Sequence, residues 1–551
     1  MTRLFAWHSQ LRGSVISRGD LSLRISIMSK RNTSDSAHTY AVMMGVAAAI
    51  TIFLFYTVRM PLIPFDSDDW VLLCKVRNGL PEFGTFNPAK VFAETLPVFC
   101  GYAGAYLFRY ITGDYLNGIA LAGSLVMCLL IGYYIYLIAR IILNTNARNG
   151  LGSVCIVIVF FLAHFTALNR QIDEKGIPFL FGSYNFTCYY NYTIPSFLNC
   201  CIVMLLMLKG GSFRDFENGR HPQLTVSALA LSIYLAIYSN LFSNYTLATY
   251  CGACLLFALC DDLKNRRFAM ESFIKGNSIH LFVEILWFAS LIFELSGGRA
   301  DQMQTGLSMS KFIDVLLAYR SMAVHLNRKL LLLLGAPTVL SIAKLLKAKV
   351  SSPKQDTVKD RVYSLPTLIL FAIFSWAFVS LLTTYIDTRF LVRSEMYVGL
   401  AFPLLLISAL SLAELFKDHE QLVLVGTFAA FLMTTDAVVL SDKLQPSNTQ
   451  RMPNMICRKI DDDMINQFLG ADAAGQTELM LHVPRYSNSI NWPQDESVPG
   501  SISYALYRHG MISRPIAAHL YIDDEMTEFY HTLSSNPSRY QQSSQLVPRA
   551  G

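Results

Sequence analysis

The chain has 551 residues, of which 53% are hydrophobic and 15% charged, against about 25% charged in an ordinary soluble domain. That deficit excludes a wholly soluble globular protein, and the net charge of +6 belongs to short basic loops, with no nucleic-acid partner implied. Apolar runs of about 17–25 residues, the length that crosses a bilayer as a helix, recur from Thr39 to Leu440 and stop after Ser441. The remainder has soluble composition. Residues 1–38 carry six Lys or Arg and no apolar core, so they read as a cytoplasmic tail and not as a signal peptide.

In chain order the runs predict about eleven spans: 39–58, 115–138, 151–169, 189–208, 224–242, 243–260, 277–296, 330–346, 364–386, 394–414 and 421–440. A further apolar stretch, 95–111, is expected to lie at or dip into the outer surface. Three loops decide this. Lys209, Arg214 and Arg220 follow the fourth span, Lys264, Arg266, Arg267 and Lys275 the sixth, and Lys347, Lys349, Lys354, Lys359 and Arg361 the eighth. With 95–111 outside the count all three clusters fall in the cytoplasm, as the positive-inside rule requires. The outer segments are then 59–114, 170–188, 297–329 and 387–393, together with a C-terminal domain over 443–551. The expected fold is an all-α polytopic membrane body, 39–442, with a small α/β domain outside the membrane. In that domain IDDDMINQFLGADA and SISYALYRHGMIS read as helices and ELMLHV as a strand.

The eleven cysteines form no zinc pattern. Cys74 and Cys100 share the first outer segment, which leaves a disulfide between them open in an oxidising compartment.

The first span is followed by RMPLIPFDSDDW. Asp66, Asp68 and Asp69 fall within four residues, where mutual repulsion raises one pKa or recruits a shared cation. A carboxylate there suits a general base for a hydroxyl; an acidic helix cap is the plainer alternative. The second outer segment, RQIDEKGIPFLFGSYNFTCYYNYT, offers Asp173 and Glu174, then Tyr184, Tyr189, Tyr190 and Tyr192. Aromatic faces of this kind stack on sugar rings, or form an interfacial belt. Arg389 and Arg393, in YIDTRFLVRSEMY, are cations on the side where cations are disfavoured. Either they grip a phosphate or they pair with Asp387 and Glu395.

DSDDW at 66–70, YNFTCYYNYTIPSFLN at 184–199 and NWPQDESVPGSISYALYRHGMIS at 491–513 resemble the GT-C superfamily of integral-membrane glycosyltransferases. Within it the chain is similar to the bacterial and phage Gtr-type O-antigen glucosyltransferases of serotype conversion. The plan covers nearly the whole chain, while the motifs are short. The resemblance implies a GT-C-like body in the bacterial inner membrane, with active site and C-terminus periplasmic. It implies inverting transfer of a sugar, glucose in the Gtr enzymes, from polyprenyl (undecaprenyl) phosphate to a glycan acceptor such as the O-antigen of lipopolysaccharide. Asp68 and Asp69 match the paired aspartates, with Asp66 a neighbour; Arg389 and Arg393 would hold the donor phosphate. Asp173, Glu174 and the tyrosines would contact substrate. No cofactor is required, although Asp66 and Asp68 could hold a divalent metal. Two other classes compete: a transporter or flippase of glycan or lipid-linked substrates, which should show internal repeats, and an outer-face glycan polymerase or ligase.

Overall fold

The structure, a computed structural model, describes residues 37–65, 67–75, 90–145, 150–167, 180–183, 185–217, 221–266, 268–295, 306–351, 365–392, 394–415, 420–435, 443–444, 452–485 and 492–535. Asp66, Asp173, Glu174, Tyr184 and Arg393 lie outside the described residues.

The body is helical. Its first helix, α1 (Ala37–Arg59), crosses antiparallel to α4 (Tyr115–Thr145) at small residues. A Cβ on Gly45 would meet the Gly132 carbonyl oxygen at 2.8 Å, and one on Gly132 would meet the Ala49 Cβ at 2.9 Å. This close backbone approach is how apolar helices associate without a hydrophobic driving force. The pair is fastened at both ends. Ser124 donates to the Tyr56 carbonyl at 2.9 Å, and Arg140 meets His38 at 3.3 Å. Between them come the short α2 (Ser67–Leu72) and α3 (Val91–Thr112). The body continues through α5 (Gly150–Thr166), α6 (Phe186–Lys209), α7 (Pro222–Ile237), α8 (Leu241–Lys264), the short α9 (Met270–Gly276) and α10 (Ser278–Leu295). It closes with α11 (Met309–His325), α12 (Arg328–Ser351), α13 (Leu365–Tyr385), α14 (Tyr397–Leu415) and α15 (Glu420–Thr435).

Among the described residues, eight helices are long and apolar enough to cross a membrane: α1, α3, α4, α6, α8, α10, α13 and α14. The protein is thus a multi-pass membrane protein. Seven of the eight match expected spans; length and composition do not reach eleven. The helices α5 and α7 are apolar but short, α15 has 16 residues, about 24 Å of rise, and α12 carries Lys344, Lys347 and Lys349.

The eighth, α3, was expected at the surface, and its ends explain how it sits. At its start the Lys90 N–H donates to the Tyr238 carbonyl at 2.6 Å and the Lys90 ammonium pairs with Glu294 at 3.5 Å. Those partners end α7 and α10, whose starts lie near the far end of α6, where Ser212 and Phe213 meet Ser278. At its other end, Gly113 turns with φ +73° into α4. Both ends of α3 therefore rest on the end of the bundle that carries α2, and the helix lies across that end.

The C-terminal part is a small α/β unit. A two-residue antiparallel pair, β1 (Lys443–Leu444) with β2 (Met452–Pro453), leads into α16 (Asn454–Ala473). Strand β3 (Glu478–Val483) pairs parallel with β4 (Ala517–Ile522), Glu478 opposite Ala517 and Val483 opposite Ile522. Between the strands runs α17 (Val498–Arg508), and α18 (Asp524–Ser535) follows β4. Helix α17 packs on α2.

The seam between unit and body is built at Gly101 of α3, where a Cβ would meet the Leu73 carbonyl oxygen at 2.3 Å and the His509 ring at 3.1 Å. Gly101→Val should lower stability by about 1–3 kcal/mol, the usual cost of overpacking, and expose the C-terminal unit to limited proteolysis. Gly500→Ala, where a Cβ meets nothing within 4 Å, should leave the proteolysis pattern unchanged.

Candidate active site

The site begins with the turn into α2. Asp69 is fully buried. Its Oδ2 accepts the Phe65 N–H at 3.0 Å, closing the turn on itself, and its Oδ1 accepts the Thr187 N–H at 2.7 Å. Backbone N–H bonds to a carboxylate are charge-assisted and strong. One side chain thereby joins the turn into α2 to the start of α6, where Asn185 caps the helix by accepting the Cys188 N–H at 2.7 Å. Asp68 precedes it in the first turn of α2 and is exposed. Trp70 is buried and stacks near Tyr115, with ring centroids 6.5 Å apart. The two aspartates that looked alike in sequence thus differ in kind: one is an internal strut, the other faces outward.

The tyrosines after Asp69's partner do not form an open sugar platform. Tyr189 and Tyr190 are buried in the core, Tyr189 edge-on to Tyr56 at 5.4 Å and Tyr190 against Phe186 at 4.8 Å. The reason is local. The chain enters α6 through a π-type turn over Tyr189–Thr193, which directs these rings into the seam with α1 and α4. Tyr192 is partly buried, and its carbonyl accepts from Ser243 at 3.2 Å. Of the expected aromatic contacts it is the described one with exposed surface.

Arg389 is exposed and held by Asp387. Its Nη2 lies 2.6 Å from Asp387 Oδ2 and its Nε 2.9 Å from the same oxygen, while its backbone N–H reaches Oδ1 at 2.9 Å. The guanidinium in turn holds the Asp387 carboxyl below the usual carboxylate range. The pairing alternative is the arrangement observed. The turn that follows, 394–396, packs against the 189–193 turn, and Glu395 within it is fully buried. The arginine segment and the Asp69 tether thus share one end of the bundle.

The C-terminal unit adds groups that the sequence reading missed. Asp461 on α16 is fully buried. Burial raises its carboxyl well above the ordinary range, Asp462 adds to the rise, the Trp492 indole opposes it, and Asp69 raises it further. Asp69 and Asp461 are therefore near enough across the seam for their charges to interact. Asp462 is pushed up to about 6, first by burial, against the pull of Arg458 and with Asp114 opposing that pull. Arg458 bridges back to the body, 2.9 Å from Asp114 and bonded to Asn117. Ser67 and Ser501 hydroxyls meet at 3.2 Å, and Phe65 stands edge-on to Trp492 at 5.6 Å. Arg508 donates to the Tyr102 hydroxyl at 3.1 Å.

His509 closes the seam. Burial lowers its pKa to about 4, so the ring is neutral. Its Nε2 donates to the Leu73 carbonyl at 3.2 Å, since a carbonyl can only accept, and its Nδ1 accepts from Tyr115 at 2.7 Å. A signal for Asp461 did exist in the sequence: Cys457, Ile460, Met464 and Phe468 form the apolar face of α16, and position 461 lies on it.

Cys74 and Cys100 are free, buried thiols, so no disulfide joins them; burial pushes Cys74 up to about 12. Among the described residues no group of three or more His, Cys, Asp or Glu is arranged to hold a metal. No family model matches the chain, and no curated protein matches it.

The seam contains two opposing pH dependences. His509, with its folded pKa depressed to about 4 from an unfolded value near 6.5, stabilises above the unfolded value and loses that contribution as pH falls toward 4. Asp462, raised to about 6, stabilises below its unfolded value near 3.9 and loses that contribution as pH rises through 6. Asp462→Asn should therefore shift the slope of thermal stability against pH between 4 and 6 toward a gain with rising pH, and His509→Gln should shift it toward a loss. Melting curves across that range check both signs.

Proposed function

We propose that the protein is an inverting, membrane-embedded glycosyltransferase, GT-C-like with about eleven spans, working at the outer face of a bacterial inner membrane. It moves a sugar, on the Gtr resemblance glucose, from a polyprenyl-phosphate carrier to a glycan acceptor such as O-antigen. The observation that carries the reading is the division of labour in the DSDDW turn. Asp69 commits both oxygens to backbone N–H groups, while Asp68 stands exposed one residue earlier on the same first turn.

In this reading Asp68, with Asp66 beside it in sequence, accepts the proton of an acceptor hydroxyl. The alkoxide-like oxygen attacks the anomeric carbon from the face opposite the phosphate. A glycosidic C–O bond forms as the bond between the sugar and the phosphate oxygen breaks, and the electron pair leaves with polyprenyl phosphate. Single displacement inverts the anomeric centre. Arg389 and Arg393 supply positive charge for the departing phosphate; Arg389 would exchange part of its Asp387 contact for that role. Tyr192, with Asp173, Glu174 and Tyr184 on the adjoining segment, supplies the sugar contacts. Helix α3, lying across the same end, gives the lipid-linked donor an apolar rim.

The assignment is tested by transfer from a synthetic polyprenyl-phosphate sugar in membranes. Asp68→Asn should lower turnover by about 10²–10⁴-fold, the range for a lost general base, with the melting temperature unchanged. Asp69→Asn should instead lower stability by about 1–3 kcal/mol, because an amide cannot accept from two N–H groups through both atoms. Full transfer by the Asp68→Asn protein would remove the base from the proposal.

A further inference from the structure

We propose that the lipid-facing groove between α5, α12 and α15 is a binding site for an anionic phospholipid, separate from the acidic site. Two apolar cavities, of about 270 and 300 Å³, lie in line there. They share Val159 of α5, Leu333 of α12, and Thr427 and Ala430 of α15, so they adjoin along one groove. The first reaches up to Thr166 and Leu330; the second descends to Leu340. From Leu330 to Leu340 a helix rises about 15 Å, which is half of the roughly 30 Å hydrocarbon thickness. The groove is therefore as deep as the acyl chains of one leaflet.

Its mouth carries charge of the matching sign. Arg328 and Lys329, both exposed, form the first turn of α12 immediately above Leu330. The mouth is held rigidly. The buried Asn327 donates its N–H to the Ala167 carbonyl at 3.0 Å, just past the end of α5. Its side-chain oxygen accepts the Lys329 and Leu330 N–H groups at 3.1 and 3.2 Å. Two exposed cations in the turn that precedes an apolar slot one leaflet deep match a phosphodiester with acyl chains. A polyprenyl chain would overrun that depth.

The site also stands apart from the proposed chemistry. Among the described residues, the main packing of α12 is on α14 and α15, and that of α15 on α5 and α12, with α2, α17 and the 189–193 turn outside these main contacts. The groove would hold such a lipid whether or not sugar transfer is the protein's activity.

The test is native mass spectrometry of the full chain in detergent, titrated with dioleoyl phosphatidylglycerol or dioleoyl phosphatidylcholine. Wild type should retain one phosphatidylglycerol about tenfold or more tightly than phosphatidylcholine, the scale of two basic residues at an anionic headgroup. Arg328→Ala with Lys329→Ala should abolish that preference while leaving the lipid-free melting temperature unchanged. Ala430→Leu, which fills the shared part of the groove, should weaken both lipids. Equal retention of the two lipids by wild type would overturn the proposal, as would a preference that survives the double substitution. Displacement of phosphatidylglycerol by stoichiometric undecaprenyl phosphate would also overturn it, assigning the groove to the carrier lipid instead.

Discussion

The Asp69 carboxylate is the interaction on which this architecture depends. With one oxygen it closes the turn from Phe65 into α2, and with the other it holds the Thr187 N–H at the start of α6. Those two segments are 118 residues apart in the chain, and each would otherwise present unsatisfied N–H groups to a buried region, where an unpaired donor is costly. Once they are joined, α2 offers α17 a fixed surface, and the C-terminal unit docks on it through Ser501, Trp492 and His509. The exposed position of Asp68 follows, because on so short a helix a neighbour anchored inward sends the preceding side chain outward.

The docking also explains why so many carboxyls of α16 have raised pKa values. Asp461, Asp462 and Asp463 are all shifted upward by burial first; Asp69 of the body raises Asp461 further and Asp114 raises Asp462, while Asp463 meets Tyr530 and Lys459 of its own unit. Arg458 is the cation that offsets this concentration, through its pair with Asp114 and its 3.6 Å approach to Asp462. Buried acids without full compensation carry protons instead of charge. The seam is consequently most comfortable with protonated aspartates and a neutral histidine, two demands that pull in opposite directions on pH.

Much of the fold was legible because membrane spans and strands obey local rules. Runs such as 115–138 and 364–386 announce themselves by length, and ELMLHV reads as a strand, appearing as β3. The surface placement of 95–111 was read from loop charges alone, while by length and composition its helix, α3, is among those able to cross a membrane. What could not be read were the long-range choices. Nothing near DSDDW says that Asp69 and not Asp68 turns inward, since its partner is Thr187. Tyr189 and Tyr190 looked like a sugar platform because composition does not reveal which way a π-type turn directs its rings. Asp461 was overlooked because IDDDMINQFLGADA was read as a helix without laying its apolar positions, Ile460, Met464 and Phe468, on the face that position 461 shares.

The central claim is that the turn into α2 and the C-terminal unit form one body at one face of the membrane. It is tested most directly by a cysteine pair at Ser67 and Ser501, whose hydroxyls are 3.2 Å apart, in a protein whose exposed Cys260 is replaced by serine. Mild oxidation in intact membranes should join the pair in nearly every molecule. A membrane-impermeant thiol reagent added first from the outer side should block the joining. A pair that stays reduced, or one that only a reagent admitted to the cytoplasmic side can block, would contradict the account.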